Sequence, residues 1–307
     1  MARLNWQARI AQLRRDQHIN ISELTWRVAD LLIEAISAHS AGSVSGTRRW
    51  LLDIGRQVIA AKPAAAPVFR LVNGMLWSAD GADSAGDVRR AAIEHLVAYE
   101  ASVEQATARL VLQVSEALAP YRRLMVYAGG DIARRALMMI ATMRPDSPPQ
   151  LYCSEERPGF TGLALASELA AAGLPVTIGI DLALFGWLPR MPVLVVGCEA
   201  LSRMGLVGRL GTAPLVALAR ELELPVLAIC PGNRMLPEEY AVDIAAAQGD
   251  PAQIMSTADD NLTVSNAQLD ITPIESMTAV ISEGGALAGP ELRQALAEIH
   301  IYPGLRG

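Results

Sequence analysis

Three clusters of charged and small residues each follow a short apolar run in this 307-residue chain, and each opens a loop or a helix. The clusters are Cys153–Pro158, Val196–Ala200 and Arg209–Thr212. In an α/β sheet, ligands bind outside the carboxyl ends of the strands. These clusters are therefore where we look for a binding site.

Arg157 is the main candidate for binding phosphate. A guanidinium makes bidentate contacts to phosphate oxygens, and the N-terminus of the helix predicted here favours anions. The alternative is a surface salt bridge with Glu155 or Glu156. We favour phosphate binding.

Arg209 and the backbone N–H groups of Gly211 and Thr212 offer a second anion site. The alternative is a plain helix start with Thr212 as the N-cap, and the sequence does not decide between them. Gly129-Gly130, after the first predicted strand, is a weak phosphate-loop signal. The chain has no Gly-x-Gly-x-x-Gly segment that opens a helix and no Walker loop.

Two carboxylates also follow predicted strands. Glu199 ends an apolar strand, where it suits general acid–base chemistry and equally a hydrogen bond to a sugar hydroxyl. Asp181 suits either a hydroxyl contact or a cap on the next helix. Cys198 adjoins Glu199, but adjacent strand residues point to opposite faces, so Cys198 is interpreted as a core residue.

Composition excludes several classes of function. The net charge of −6 argues against a protein that binds nucleic acid through bulk charge. Three scattered cysteines are typical of a reducing cytosol. Four histidines without ligand spacing predict no metal site, and no cofactor is expected. No apolar run approaches the roughly 20 residues needed to span a bilayer, so we expect a cytoplasmic protein.

The periodicity of apolar residues changes near residue 118. Helical spacing precedes this point, and short apolar runs alternate with helical segments after it. The predicted strands are Leu124–Ala128, Gln150–Cys153, Val176–Ile180, Val193–Val196, Val226–Ile229 and Met277–Ser282. This alternation predicts an α/β fold, with a helical N-terminal domain (1–118) followed by a Rossmann-like parallel-sheet domain (119–307).

Six segments, in order along the chain, resemble motifs of one protein family. The segments are Ala66–Asn73, Glu155–Pro158 with Gly162, Pro175–Thr177 with Asp181–Ala183, Val196–Glu199, Gly208–Thr212 and Asp270–Glu275. The family joins the alpha, beta and delta subunits of translation initiation factor 2B with ribose 1,5-bisphosphate isomerase and 5-methylthioribose 1-phosphate isomerase. The resemblance implies a ligand site formed by Arg70, Arg157, Gly162, Asp181, Arg209, Gly211 and Thr212, to which the phosphate-loop signal adds Gly129 and Gly130.

The chain departs from the isomerases of that family at two catalytic positions. Their cysteine after the first sheet strand corresponds to Ala128, which can neither donate nor accept a proton. Their catalytic aspartate corresponds to Glu199, whose carboxylate lies about one methylene further out. Their Asn-Lys pair is Gly208-Arg209. Because its partner acid is absent, Glu199 is expected to bond a sugar hydroxyl.

These departures resemble the alpha subunit of initiation factor 2B more than an isomerase. They imply a protein that binds a phosphorylated pentose or nucleotide without the standard isomerase activity. The alternative is an aldose 1-phosphate to ketose 1-phosphate isomerase, or a related enzyme, that uses Glu199; a third is an assembly subunit with a vestigial pocket. The resemblance also implies a homodimer or higher oligomer formed by the C-terminal domain, and the apolar segment Met277–Leu287 is a candidate contributor to its interface. The negative charge and the short apolar runs predict no direct contact with nucleic acid or membrane.

Overall fold

The first part of the protein is helical. The computed structural model describes residues 6–16, 21–40, 42–237, 239–240, 242–256 and 259–306. Its first helices are α1 (Trp6–Arg15), α2 (Ile21–Ala38), α3 (Val44–Ala61), α4 (Ala66–Asp80) and α5 (Ala85–Leu118). Serines cap two of them: Ser43 Oγ accepts a hydrogen bond from Gly46 N–H, and Ser84 Oγ accepts one from Asp87 N–H, both at 3.1 Å. Each helix buries one apolar stripe against its neighbours.

A seven-stranded sheet follows this helical part. The strands of the chain are β1 (Arg123–Tyr127), β2 (Gln150–Ser154), β3 (Val176–Gly179), β4 (Leu194–Gly197), β5 (Ala200–Ser202), β6 (Gly205–Arg209), β7 (Val226–Ile229), β8 (Leu269–Thr272), β9 (Ala279–Ser282) and β10 (Gly285–Leu287). The large sheet has the order β10-β9-β7-β4-β1-β2-β3. All its pairs are parallel except β9–β10. The predicted α/β class is confirmed.

Helices cover both faces of this sheet. They are α6 (Gly130–Met143), α7 (Thr161–Ala171), α8 (Ala183–Trp187), α9 (Thr212–Glu221) and α10 (Gly289–Ala297). Alternate residues of β1 enter the two cores: Leu124 and Val126 pack with α6 and α7, whereas Met125 and Tyr127 pack with α8 and α9. Among the described helices, none combines the length and apolar character that a membrane span requires.

A small antiparallel sheet of β5, β6 and β8 was not predicted. It packs on α4, where Phe69 lies in one apolar cluster with Ala200 and Val207. Helix α5 links the two parts of the chain, since Leu96 lies in the helical core and Leu110 lies in the core under the sheet. The division near residue 118 stays a prediction.

Strand β9 is an interior strand, between β7 and β10. Val280 and Ile281 are buried in the cores on either side of the sheet, and Met277 is buried beside them. Alternating apolar residues therefore fill this chain's own core here, because β10 covers the outer edge of β9. These three residues are core residues of this chain, and a contribution of the Met277–Leu287 segment to a subunit interface stays a prediction.

Candidate functional site

The candidate site lies at the carboxyl ends of β1 and β4, where the direction of strand addition reverses. From β1 the chain adds β2 and β3 on one side, and β4 then pairs with the other side of β1. Such a reversal leaves a crevice between the loops that follow the two strands. The loops meet closely, since a Cβ on Gly197 would lie 1.7 Å from the Ala128 carbonyl oxygen.

Glu156 joins the loop after β2 to the loop after β1. Its Oε1 accepts a hydrogen bond from Ala128 N–H at 2.9 Å, and its Oε2 accepts one from the Thr161 hydroxyl. The Glu156 residue is only 8% exposed. Both Ala128 and Glu156 adopt left-handed backbone conformations, with φ of 54° and 58°. The carboxylate therefore fixes loop geometry and is not the salt-bridge partner of Arg157.

Asp181 fixes the same loop from the end of β3. Its Oδ1 accepts a hydrogen bond from Glu156 N–H and its Oδ2 accepts one from Arg157 N–H, both at 2.9 Å. Helix α8 has no side-chain cap, so Asp181 does not serve as one. Its two oxygens hold the backbone from which the Arg157 side chain extends.

Arg157 is exposed, and its guanidinium lies 4.8 Å from the centroid of the Phe160 ring. In the described part of the chain it forms no ion pair with Glu155 or Glu156. Helix α7 begins at Thr161, so Arg157 lies four residues before the helix and not at its first turn. The positive charge at this loop is therefore available to a ligand.

The glycines predicted to bind a ligand have packing roles here. A Cβ on Gly162 would lie 1.8 Å from the Ser154 carbonyl oxygen, and one on Gly129 would lie 2.6 Å from Ala133 Cβ. Gly130 has a φ of 61° at the start of α6. These positions let α6 and α7 start directly against the sheet.

Glu199 lies between two arginines. Arg209 Nε is 3.8 Å from Glu199 Oε1, and Arg234 Nη1 is 3.3 Å from Glu199 Oε2. The Glu199 side chain is 29% exposed, so the cluster is open to solvent. Two positively charged guanidinium groups therefore face one negatively charged carboxylate.

Sequence analysis missed Arg234. It ends a short 3-10 helix, Gly232–Arg234, shortly after β7. Its guanidinium also donates to the Cys198 carbonyl oxygen, which fixes it beside the end of β4. The signal was present, because Pro231–Arg234 follows an apolar run just as the three recognised clusters do.

The start of α9 already holds a carboxylate of this chain. Asp270 Oδ2 accepts hydrogen bonds from Gly211 N–H at 2.7 Å and from Ala213 N–H at 3.1 Å. Burial raises the pKa of Asp270, while bonds from these amides and that of Thr212 oppose the rise. The predicted second anion site at the amides of Gly211 and Thr212 is therefore filled internally.

Thr212 is not the N-cap of α9. The cap is Gly211, with a φ of 104°, and the Thr212 hydroxyl donates to the Arg209 carbonyl oxygen at 2.6 Å. Tyr127 closes the same corner by donating to the Leu210 carbonyl oxygen at 2.5 Å. Burial, together with nearby carboxylates that include Asp181, raises the Tyr127 pKa.

Arg70 lies on α4 beside the turn that carries Arg234. Burial lowers the pKa of Arg70, and the charge of Glu283 and the Tyr99 hydroxyl oppose the shift. Glu283 Oε2 accepts a hydrogen bond from Gly232 N–H at 2.8 Å. The Tyr99 hydroxyl lies close enough to Asn233 for the amide to affect its pKa. Arg70 therefore lies where α4 packs against the Gly232–Arg234 turn.

The remaining features are structural. Cys198 and Cys230 are buried side by side, and burial raises the Cys198 pKa well above its ordinary value. Within the described ranges, no group of three or more His, Cys, Asp or Glu residues is arranged to hold a metal ion. A separate hollow among α1 and α2, lined by residues such as Arg9 and Arg27, includes none of the site residues.

Comparison with a protein-family model shows which family this chain belongs to. The model of the Initiation factor 2 subunit family matches residues 22–289, which is most of the sequence. The chain belongs to the Initiation factor 2 subunit family. Solved structures agree with this family fold. The translation initiation factor eIF-2B of Pyrococcus horikoshii OT3 has a TM-score of 0.72 at 15% identity, over 94% of this chain and 98% of that one.

A tetrameric eIF2B-beta2-delta2 complex from C. thermophilum gives a TM-score of 0.73 at 17% identity, over 95% of this chain and 93% of that one. Among curated relatives in this family, ribose 1,5-bisphosphate isomerase of Haloterrigena turkmenica is 23% identical over 84% of both chains. The same-named protein of Methanocaldococcus jannaschii is 25% identical over 45% of this chain and 46% of its own length. This chain thus spans less than half of the latter relative.

Proposed function

We propose that this protein binds a phosphorylated pentose or a nucleotide in the crevice at the carboxyl ends of β1, β2 and β4. The observation that carries the proposal is the exposed Arg157 guanidinium, which no Glu155 or Glu156 carboxylate neutralises. Asp181 and Glu156 hold its loop in place, so little conformational entropy is lost when an anion binds. The names of the curated relatives, which act on ribose 1,5-bisphosphate, support a phosphorylated sugar as the ligand.

The proposed site lacks the acid–base pair of the standard isomerases. Moving hydrogen between adjacent sugar carbons needs a proton donor and a matched acceptor, each worth typically about 10²–10⁴-fold in rate. Ala128 offers a methyl group at the first position. Glu199 is paired with Arg209 and Arg234 at the second. We therefore propose ligand binding without efficient isomerisation as the activity of this protein.

A thermal-shift series tests the proposal. Ribose 1-phosphate, ribose 1,5-bisphosphate, methylthioribose 1-phosphate and nucleoside monophosphates are compared with ribose. A ligand at a hundredfold excess over its Kd stabilises the native state by about 2.7 kcal/mol. We expect a shift with at least one phosphorylated ligand and none with ribose. R157A should remove the shift, and R90A, which removes an exposed arginine from α5, should retain it.

Sugar-phosphate isomerisation is the second candidate function. It is favoured by the names of the relatives and by the carboxylate kept at Glu199. Turnover of ribose 1,5-bisphosphate or methylthioribose 1-phosphate by the unmodified protein, abolished by E199Q, would establish this enzyme in place of the binding protein. Under the binding proposal, turnover is absent or at trace level and rises in A128C/E199D more than in A128C.

We also propose that the protein forms a homodimer through its sheet domain. A tetrameric complex of two beta and two delta subunits in the same fold supports association between chains of this architecture. Large apolar side chains are exposed along α7 and the β3 edge: Phe160, Leu163, Ile178, Ile180 and Leu182. Because β3 is an edge strand and apolar edges favour association, this α7–β3 edge is the surface we assign to the dimer.

A further inference from the structure

A short segment that follows α10 lies against the helical part of the chain. Residues 300–306, which we call the strap, contain no strand, and their one helical turn is the 3-10 helix Pro303–Leu305. All seven strap residues are described, and only Ile301 among them is buried, at 3% exposed. Ile301 belongs to an apolar cluster that joins α4 to the small sheet. This joint cluster consists of Ala66, Phe69, Ala200, Val207, Leu236, Val242 and Ile301.

Asn73 of α4 binds the backbone of the strap with both ends of its side-chain amide. Its Nδ2 donates to the His300 carbonyl oxygen at 3.0 Å, and its Oδ1 accepts a hydrogen bond from Tyr302 N–H at 2.7 Å. The Asn73 residue is only 5% exposed. Asn73 ends one of the segments that resemble family motifs, and in the fold its amide is bonded to the strap.

Further polar contacts hold the strap on α3 and α4. Arg56 donates to the Gly304 carbonyl oxygen from Nε at 3.0 Å and from Nη2 at 2.5 Å. Trp77 Nε1 donates to the His300 carbonyl oxygen at 3.3 Å. These contacts are exposed, and their partners lie more than 220 positions apart in the sequence. A segment held by a few exposed hydrogen bonds and one buried side chain opens at a lower cost in free energy than a packed core.

The strap bears on the same helix that touches the Gly232–Arg234 turn. Helix α4 contacts this turn, and through Phe69 it packs with Ile301 in the joint cluster. The continuous connection between the helical part and the sheets is α5, which enters the cores of both. The strap is therefore a second attachment of the helical part, at α3 and α4.

We propose that the strap is a latch between the helical part and the sheets. While the strap is docked, α4 is held against the small sheet and the Gly232–Arg234 turn. Its release removes Ile301 from the joint cluster and lets α4 separate from both. Because the turn carries Arg234, the latch also controls how firmly that arginine is held beside Glu199. The inference does not depend on which ligand the crevice binds.

Hydrogen exchange of the full-length protein without ligand tests the latch. N73L keeps the size of the side chain and leaves the His300 carbonyl oxygen and Tyr302 N–H without their partner. We expect exchange in the strap to be about tenfold faster or more, because unpaired buried polar groups are costly. Exchange at Leu236 N–H, which bonds the Leu201 carbonyl oxygen at 2.8 Å in the joint, should be about threefold faster or more.

Two references separate a latch from a general loss of stability. Met125 N–H in β1, bonded to the Val193 carbonyl oxygen, should exchange at the wild-type rate, whereas general destabilisation would accelerate all three sites alike. N266L is the matched control, since Asn266 is also buried, at 3% exposed, and donates to the Asp250 carbonyl oxygen at 2.8 Å. This variant should accelerate exchange within 249–266 and leave the strap unchanged.

Three outcomes would overturn the latch. The first is unchanged exchange of the strap in N73L, and the second is equal acceleration of the strap, Leu236 and Met125. The third is a faster strap with Leu236 unchanged, which would make the strap a passive segment. Should N73L not fold, R56A/W77F removes three hydrogen bonds at exposed positions, and it should accelerate the strap and Leu236 by about threefold with Met125 unchanged.

Discussion

At the scale of single residues, the carboxylates of this site act largely on the protein's own backbone. Asp181 accepts two backbone N–H groups, Glu156 accepts the N–H of Ala128, and Asp270 accepts two amides at the start of α9. Their partners lie 24 to 59 positions away in the sequence. Local spacing could identify Asp181 as a polar residue after a strand, but it could not show that its hydrogen-bond donors would be the backbone N–H groups of Glu156 and Arg157.

Glycine geometry at the crevice gives a direct prediction at this scale. A Cβ on Gly197 would lie 1.7 Å from the Ala128 carbonyl oxygen, which belongs to backbone and cannot rotate away. G197A should therefore destabilise the protein by at least about 1–3 kcal/mol, the usual cost of overpacking. Urea denaturation measures the change in the free energy of unfolding.

The matched control for this variant is G186A. Gly186 lies within α8, and a Cβ there would meet no atom within 4 Å. Its replacement should be neutral or should stabilise the helix by up to about 1 kcal/mol, because alanine loses less backbone entropy than glycine. Equal stability of G197A and wild type would mean that the loops after β1 and β4 are further apart than described.

At the scale of elements, strands with strong apolar runs were predicted well and short ones were missed. The run Val226–Ile229 coincides with β7, and the run Met277–Ser282 contains β9. In contrast, β5 has only three residues and turns tightly into β6 at Gly205. Strand β5 pairs with β6, and β6 pairs in turn with β8, roughly sixty residues downstream, so local periodicity could not reveal this sheet.

The Gly232–Arg234 turn is the element that connects the site to the helical part of the chain. Tyr99 on α5 lies beside Asn233 of that turn and donates to the Pro67 carbonyl oxygen at 3.3 Å. A double-mutant cycle with Y99F and N233A should therefore give a coupling of about 0.5–1.5 kcal/mol in the free energy of unfolding. Y121F is the control, and it should show no coupling to N233A.

The same pair makes a prediction about pH. Burial raises the pKa of Tyr99 to about 12, so its hydroxyl stays protonated in the folded state where an unfolded tyrosine ionises. Stability from this group is complete below the ordinary pKa of 10.0 and is lost as the pH rises from there to about 12. The part of the alkaline loss of stability that Tyr99 causes should be absent in Y99F. An unchanged alkaline profile in Y99F would contradict the burial of this hydroxyl.

At the scale of the whole molecule, the net charge of −6 gives no indication of the arginines that the fold gathers around the crevice. Arg157 and Arg234 lie on the loops after β2 and β7, and Arg209 ends β6, although the three are spread over 78 positions of the sequence, from 157 to 234. Overall charge therefore describes solubility and bulk interactions, whereas the fold decides where a local field attracts an anion. The sequence predicted Arg157 and Arg209 as site residues, whereas Arg234 was found only in the folded structure.

The apolar α7–β3 edge gives the last prediction. Ile178, Ile180 and Leu182 are 40%, 60% and 73% exposed, an arrangement that leaves apolar area in water unless another surface covers it. If a second copy covers this edge, I180D/L182D should convert a dimer to a monomer, because two buried charges per chain oppose association. Light scattering at micromolar concentration distinguishes the two states, and L262D, at a side chain 44% exposed outside this edge, should remain dimeric. A wild-type monomer would contradict the dimer itself, and a dimeric double variant would place the interface on another face of the sheet domain.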